Sequence, residues 1–301
     1  MRIVFVGAVE SSKIALEALI NAGRTPALVI TLPPEAAGRH SDFAAIAELA
    51  RGAGSAVYYT TNINAPAVLE AMASINPDLT LVVGWSQVCQ RSFRDIARNG
   101  TVGFHPAALP RLRGRGVIAW TIIRGEDTSG STLFWLDDGI DSGPILLQRL
   151  FPLDVNETAG SLYAKHTANL AEMVVEAVAL VEMGHAPRIP QDQNKASYCA
   201  KRTPEDGLID WNASAASVLR LIRAVGAPYP GAFSFHNGEK IRVDAAVQLK
   251  NGTQFIGLPG QVQAHTNHGF VVLCGDGECI EVVAWASPSD KRPPIHSKLH
   301  K

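Results

Sequence analysis

Short apolar runs recur through the first hundred positions, and between them apolar residues return at helical spacing. Residues 2–6 (RIVFV) stop at Gly7, and 13–20 then carry Ile14, Leu16, Ala18, Leu19 and Ile20, with Ser11 and Ser12 placed to cap a helix. The alternation continues as a strand over 27–32 before Pro33-Pro34, a helix over 42–51, a strand over 56–59 and a helix over 66–74. LTLVV at 79–83 is apolar at nearly every position, the pattern of a strand buried on both faces. Strands alternating with helices predict a parallel sheet covered on both sides. Ligands in such sheets bind at the carboxyl ends of strands, which makes residues 84–89 and 103–105 candidate site loops.

The pattern changes in the second half of the chain. Residues 158–182 predict one long amphipathic helix, with Leu162, Leu170, Val174, Val175, Val178 and Leu180 on it. It stops at Gly184, and 185–190 (HAPRIP) reads as a linker. Beyond a short helix over 214–224, the stretches 231–235, 240–247, 260–264, 270–274 and 279–284 predict strands joined by Asn-Gly and Asp-Gly turns. A small antiparallel barrel is the economical arrangement for so many short strands. The expected organisation is an α/β, Rossmann-like parallel-sheet domain over 1–190 and an OB-like β-barrel domain over 191–301, with the basic tail 291–301 a solvated end.

The chain has 301 residues, 47% hydrophobic and 18% charged, which allows two well-packed domains. A formal net charge of -1 gives no global positive field for nucleic acid or an anionic membrane. Cys89, Cys199, Cys274 and Cys279 form no CxxC pair, so they read as thiols in a reducing compartment rather than as zinc or redox ligands. The opening MRIVFVG is a strand rather than a signal peptide, and no apolar run reaches membrane-spanning length. No metal, no membrane and a cytoplasmic location are expected.

Gly114 and Gly116 in PRLRGRG would let the backbone approach a ligand, but the Gly-Lys-Ser/Thr ending of a nucleotide loop is missing and 117–123 looks like the start of a helix. Arg113 either ties the neighbouring loop down or binds an anionic part of a substrate. That loop holds His105 in GFHPAALP, and Asp141 follows 36 positions later in GIDSG. Imidazole and carboxylate handle protons. Alone, such a histidine is usually satisfied by a backbone carbonyl and such an aspartate is usually a turn or cap residue. Their combination, HPxxLPxxRG followed by GxDxG and Gln148, is far more specific.

In GFHPAALPRLRG, VIAWTIIRGE and FWLDDGIDSGPILLQ the chain resembles the folate-dependent formyltransferase family. KRTPEDGLIDW and IRAVGAPYPGAFSF resemble the segments that lead into the C-terminal domain of methionyl-tRNA and amino-sugar formyltransferases, so the resemblance covers nearly the whole chain. It implies formyl transfer from 10-formyltetrahydrofolate to an amine. His105 would share protons with the intermediate and Asp141 would orient it and favour its charged form. Gly84, Trp85, Ser86, Gln87 and Val88 would form one wall of the folate pocket, and Leu136, Asp137, Asp138, Gly139 and Ile140 the other. The chain departs from the pattern where the family's asparagine falls on Gly103 and the usual serine on Ala107. Loss of one oxyanion donor costs on the order of hundredfold to thousandfold in rate, unless a backbone N–H near Gly103 or the Gln87 side chain replaces it. ETAGSLY and GHAPRIPQ also resemble the hydrolase domain of 10-formyltetrahydrofolate dehydrogenase, which shares the missing asparagine. Hydrolysis and folate or nucleotide binding without turnover are thus the alternatives.

The loop after the second strand, PPEAAGRHSD, carries two acids and one arginine, a poor contact for a phosphate backbone. The expected acceptor is therefore a small-molecule amine, such as an amino-sugar nucleotide or a specialised metabolite, rather than tRNA, with Arg39 and Arg113 as its anion contacts.

Overall fold

A computed structural model of the protein describes residues 1–39, 42–250 and 254–300. The chain divides into two compact units: residues 1–117, 128–152 and 163–199 form the first, and 118–127, 153–162 and 200 onward form the second. The elements run β1 (Ile3–Val6), α1 (Glu10–Asn21), β2 (Leu28–Thr31), α2 (Ala47–Gly52), β3 (Ala56–Tyr59), α3 (Pro66–Ile75), β4 (Leu79–Val82), α4 (Arg91–Arg94) and β5 (Thr101–His105). They continue through β6 (Arg113–Gly114), α5 (Val117–Ile123), β7 (Thr128–Trp135), β8 (Ile145–Pro152), α6 (Ala159–Glu182) and β9 (Tyr198–Cys199).

The sheet of the first unit has the order β3-β2-β1-β4-β5-β7-β8, with β1 to β5 parallel as their alternation with helices predicts. Both faces are covered, so successive residues of one strand enter different cores. Ile3 and Phe5 of β1 and Leu79 and Leu81 of β4 pack with Leu16 and Leu19 of α1 and with Leu170, Val174 and Val178 of α6. Val4, Val6 and Val82 join Val68 and Met72 of α3 and Phe93 of α4. Strand order reverses between β1 and β4, and in sheets of this kind ligands bind at the carboxyl ends beside that reversal.

The hairpin of β7 and β8 was not legible from the pattern and runs antiparallel to β5. Ser129, Ser131 and Thr132 interrupt its apolar character although all three are buried. The helix expected over 42–51 begins only at Ala47, because the preceding residues bond to the exit of β1: Ala44 N–H donates to Ala8 O and Glu10 N–H to Asp42 O. Ser11 and Ser12 lie in the first turn of α1 rather than at the N-cap position, which is Val9, and Ser12 Oγ closes the turn from N3 by accepting from Val9 N–H. Segment 185–199 packs onto the first unit instead of acting as a free linker. Ile189 pairs with Ile145, Trp135 Nε1 donates to Pro187 O at 2.9 Å, and the Arg188 guanidinium lies 3.8 Å from the Trp135 ring centroid.

In the second unit, α7 (Ala215–Val225) starts at Ser214, whose Oγ accepts from Ser217 N–H. Strands β10 (Ala232–His236), β11 (Glu239–Gln248), β12 (Val262–His265), β13 (Phe270–Leu273) and β14 (Cys279–Ala286) form an antiparallel sheet in the order β10-β11-β14-β13-β12. Residues 298–300 then bridge both of its edges, Lys298 to Gln261 beside β12 and His300 to Phe235 of β10, with Leu299 only 1% exposed between them. The tail is thus part of the barrel rather than a solvated end, because two unpaired strand edges need its backbone groups. Among the described residues no helix is long and apolar enough to cross a membrane.

Candidate active site

The site begins where β5 ends. Gly103 and His105 are two residues apart on a strand, so they share one face of the sheet. His105 is 5% exposed, and its Nε2 lies 2.8 Å from Leu112 O. A ring nitrogen at that distance from a carbonyl carries the hydrogen, which leaves Nδ1 for proton exchange. Nδ1 faces Asp141 Oδ2 at 3.5 Å. That separation is long for a neutral hydrogen bond but close enough for the carboxylate to stabilise an imidazolium.

Both partners are held by chain segments distant in sequence. The loop after His105 is pinned by Thr132 Oγ1, which donates to Ala107 O at 2.7 Å, and by Gln148 Nε2, which donates to Leu109 O at 2.9 Å. Leu112, at φ +57, donates its N–H to Ser197 Oγ at 2.9 Å and so presents its carbonyl to His105. Gly114 N–H donates to Asp141 Oδ2 at 2.7 Å. A Cβ on Gly114 would lie 2.5 Å from Cys199 O, so this glycine admits the protein's own β9 rather than a ligand. Asp141 has φ +51, and Gln191 Nε2 donates to its carbonyl at 2.9 Å and to Gly143 O at 2.7 Å. Gly143 is required where it stands, because a Cβ there would lie 1.8 Å from Trp135 O.

Arg113 lies in the interior, 0% exposed. Its Nη2 donates to Gln191 Oε1 at 2.6 Å and its Nη1 to Gln193 Oε1 at 2.8 Å and Tyr198 Oη at 3.0 Å. The expectation of an acceptor contact fails here, since a guanidinium with no exposed surface has none to offer; Arg113 ties the loops together. Arg39 closes the turn Pro34–Arg39, and its side chain, with residues 40 and 41, lies outside the described residues.

The two stretches assigned to folate flank the site differently. Gly84 has φ +65, and a Cβ there would lie 2.2 Å from Val9 Cγ2. Nearby, Ser12 Oγ accepts from Ala8 and Val9 N–H and donates to Val83 O, which fastens the exits of β1 and β4 together. Trp85 packs with Ala8, Leu32 and Ala36, and its Nε1 is buried with no acceptor among the described residues. Ser86 is exposed, and Val88 is 66% exposed. The Gln87 amide is anchored to the loop after β3, accepting from Ile63 N–H at 2.9 Å and donating to Thr61 O at 2.6 Å. In the second stretch, the Asp137 carboxylate accepts from Gly139 N–H and Ser142 Oγ, and Asp138 pairs with the buried Arg94. Leu136 is half-buried, while Gly139 and Ile140 are exposed, the latter by 56%. Exposed Val88 and Ile140 suit the flat faces of a heteroaromatic ring. Arg94, Ser197 and Thr132 carry no motif, and Gln191 closes the GHAPRIPQ stretch with nothing in it to point to Asp141, which is why sequence reasoning missed all four. Among the described residues no group of three or more His, Cys, Asp or Glu is placed to hold a metal ion.

Residues 1–178 match the model of the formyl transferase family, and residues 201–298 match that of the formyl transferase C-terminal domain. The chain belongs to the formyl transferase family. Methionyl-tRNA formyltransferase of Syntrophus aciditrophicus (strain SB) is 34% identical over 91% of this chain and 88% of its own, and that of Ruminiclostridium cellulolyticum is 33% identical over 92% and 89%. Among solved structures, WlaRD, a sugar 3N-formyl transferase crystallised with dTDP and 5-N-formyl-THF, superposes with a TM-score of 0.67 at 18% identity over 97% of this chain and 99% of that one. HypX from Aquifex aeolicus in complex with tetrahydrofolic acid gives 0.65 at 20% identity over 96% of this chain but 44% of its own. These relatives correct the expectation that set tRNA aside. At about a third identity over nine-tenths of the chain, the formyltransferases named for methionyl-tRNA outweigh an argument from the charge of one loop.

Proposed function

We propose that the protein transfers the formyl group of 10-formyltetrahydrofolate to a primary amine, with His105 and Asp141 as the proton-handling pair. The observation that carries this reading is the seating of that pair: Nε2 is committed to Leu112 O, so Nδ1 alone faces Asp141. The amine nitrogen bonds to the formyl carbon and the bond from that carbon to the folate nitrogen breaks. His105 Nδ1 takes the proton that the amine gives up and delivers one to the departing nitrogen, so the balance closes without an added reactant. Asp141 stabilises the transient imidazolium. Gly84 to Val88 and Leu136 to Ile140 bind the donor, chiefly through backbone and through the exposed faces of Val88 and Ile140.

The test follows tetrahydrofolate release with methionyl-tRNA and with an amino-sugar nucleotide as separate acceptors. Amine-dependent release with a formylated product supports the reading and identifies the acceptor class. Equal release without any amine assigns hydrolysis, and no release under any condition sinks both.

A further inference from the structure

We propose that Gln191 is a positioning residue that sets the geometry of Asp141, and through it the proton exchange at His105. The inference rests on the reading of that pair given above. Gln191 lies between the two stretches that match the family models, 7% exposed, with both ends of its amide committed in opposite senses. Its Nε2 donates to Asp141 O at 2.9 Å and Gly143 O at 2.7 Å; its Oε1 accepts from Arg113 Nη2 at 2.6 Å and Nε at 3.2 Å.

Asp141 is a non-glycine residue at φ +51, a backbone state that persists only where its surroundings over-determine it. Gly114 N–H holds the carboxylate, and the Gln191 donors hold the carbonyls on either side of Ser142, so side chain and backbone are clamped from different segments. Arg113 in turn fixes which way the Gln191 amide points, because only the oxygen can face a guanidinium. Arg113 also immediately precedes Gly114, so one network aligns the donor on the carboxylate and the donors on the backbone. A shift of about 1 Å in a catalytic group can cost on the order of hundredfold in rate.

Gln191→Glu separates the two halves of this contact. A glutamate keeps an oxygen for Arg113 but turns the donors toward Asp141 O and Gly143 O into a repelling carboxylate. The expected result is a loss of about 10- to 100-fold in kcat with KM for the folate donor within about threefold and a shifted pH–rate profile. A purely structural role would lower thermal stability and leave the profile in place. The amide of Gly114, which donates to Asp141 Oδ2, reports the seating independently of turnover, and its hydrogen exchange should accelerate in Gln191→Glu. Unchanged Gly114 protection overturns the proposal whether or not the enzyme reading holds. Wild-type kcat in Gln191→Glu beside an inactive Asp141→Asn overturns it while leaving the pair in place. Wild-type kcat in Asp141→Asn overturns the reading of the pair instead.

Discussion

Substituting Gly103 by asparagine restores the residue type the family places two positions before the histidine, and the structure sets the conditions under which this succeeds. Gly103 is absent from the left-handed region, so a side chain there meets a steric cost rather than a backbone one. An added Cβ would lie 2.7 Å from Leu136 Cδ2 and 3.2 and 3.3 Å from two carbons of the Phe134 ring, the residue paired with Gly103 across β5 and β7. The space for the missing amide is therefore already filled. Overpacking of this kind costs about 1–3 kcal/mol, and at about 2–4 °C per kcal/mol for a unit of this size the single variant should melt about 2–12 °C lower. The nearest atom is the end of a flexible leucine, so Gly103→Asn with Leu136→Ala should recover part of the loss. The double variant should also exceed Leu136→Ala alone in tetrahydrofolate release, since an oxyanion donor is worth on the order of hundredfold to thousandfold when well placed. Calorimetry and the release assay on all four members of the cycle measure the coupling. A Gly103→Asn variant that melts with the wild type would refute the packing argument.

His105→Ala and Asp141→Asn should each lower kcat by about a hundredfold or more, consistent with the usual worth of a positioned acid–base group, without changing the melting temperature by more than a few degrees; full turnover in either removes that residue from the mechanism. Arg113→Met should destabilise the protein by about 1–3 kcal/mol in denaturant unfolding, because the buried Gln191 Oε1 loses its donors, and an intact fold with only a raised acceptor KM would restore the substrate-contact role. Burial pushes the Cys89 and Cys274 thiols up from an ordinary value near 9 to about 12, and Cys279 to about 11. Below pH 9 both folded and unfolded chains keep these protons; above it the unfolded chain loses them first, so stability should fall between about pH 9 and pH 12. Melting temperatures measured across that interval check the sign, and a flat profile contradicts it.

The parallel core was legible because its strands are buried on both faces and read as unbroken apolar runs, LTLVV most plainly. The β7 and β8 hairpin was not, since Ser131 and Thr132 are buried for their hydrogen bonds rather than their hydrophobicity, Thr132 to Ala107 O and Ser131 with His166 Nδ1. His105 and Asp141 were legible through motif, whereas Gln191 and Arg94 act by reaching across the fold, and no local pattern says what they reach. Arg113 shows the opposite error: arginine in a Gly- and Arg-rich segment suggests an anion contact, yet this one serves Gln191, Gln193 and Tyr198. Charge in a single loop misled the expectation about tRNA for a related reason, because one loop samples little of the surface an acceptor touches.

The left-handed turn at Asp141 also bears on how the protein reaches its native state. Its anchors come from Gly114 and Gln191, the latter 50 positions further along, and its partner His105 lies at the end of β5. Contacts of such wide separation form only after the intervening chain has been ordered, so the pair has no local nucleus and cannot precede the sheet. Secondary structure should therefore return before a seated His105–Asp141 pair during refolding, and no fragment shorter than residues 105–197 can contain every part that holds the pair in place.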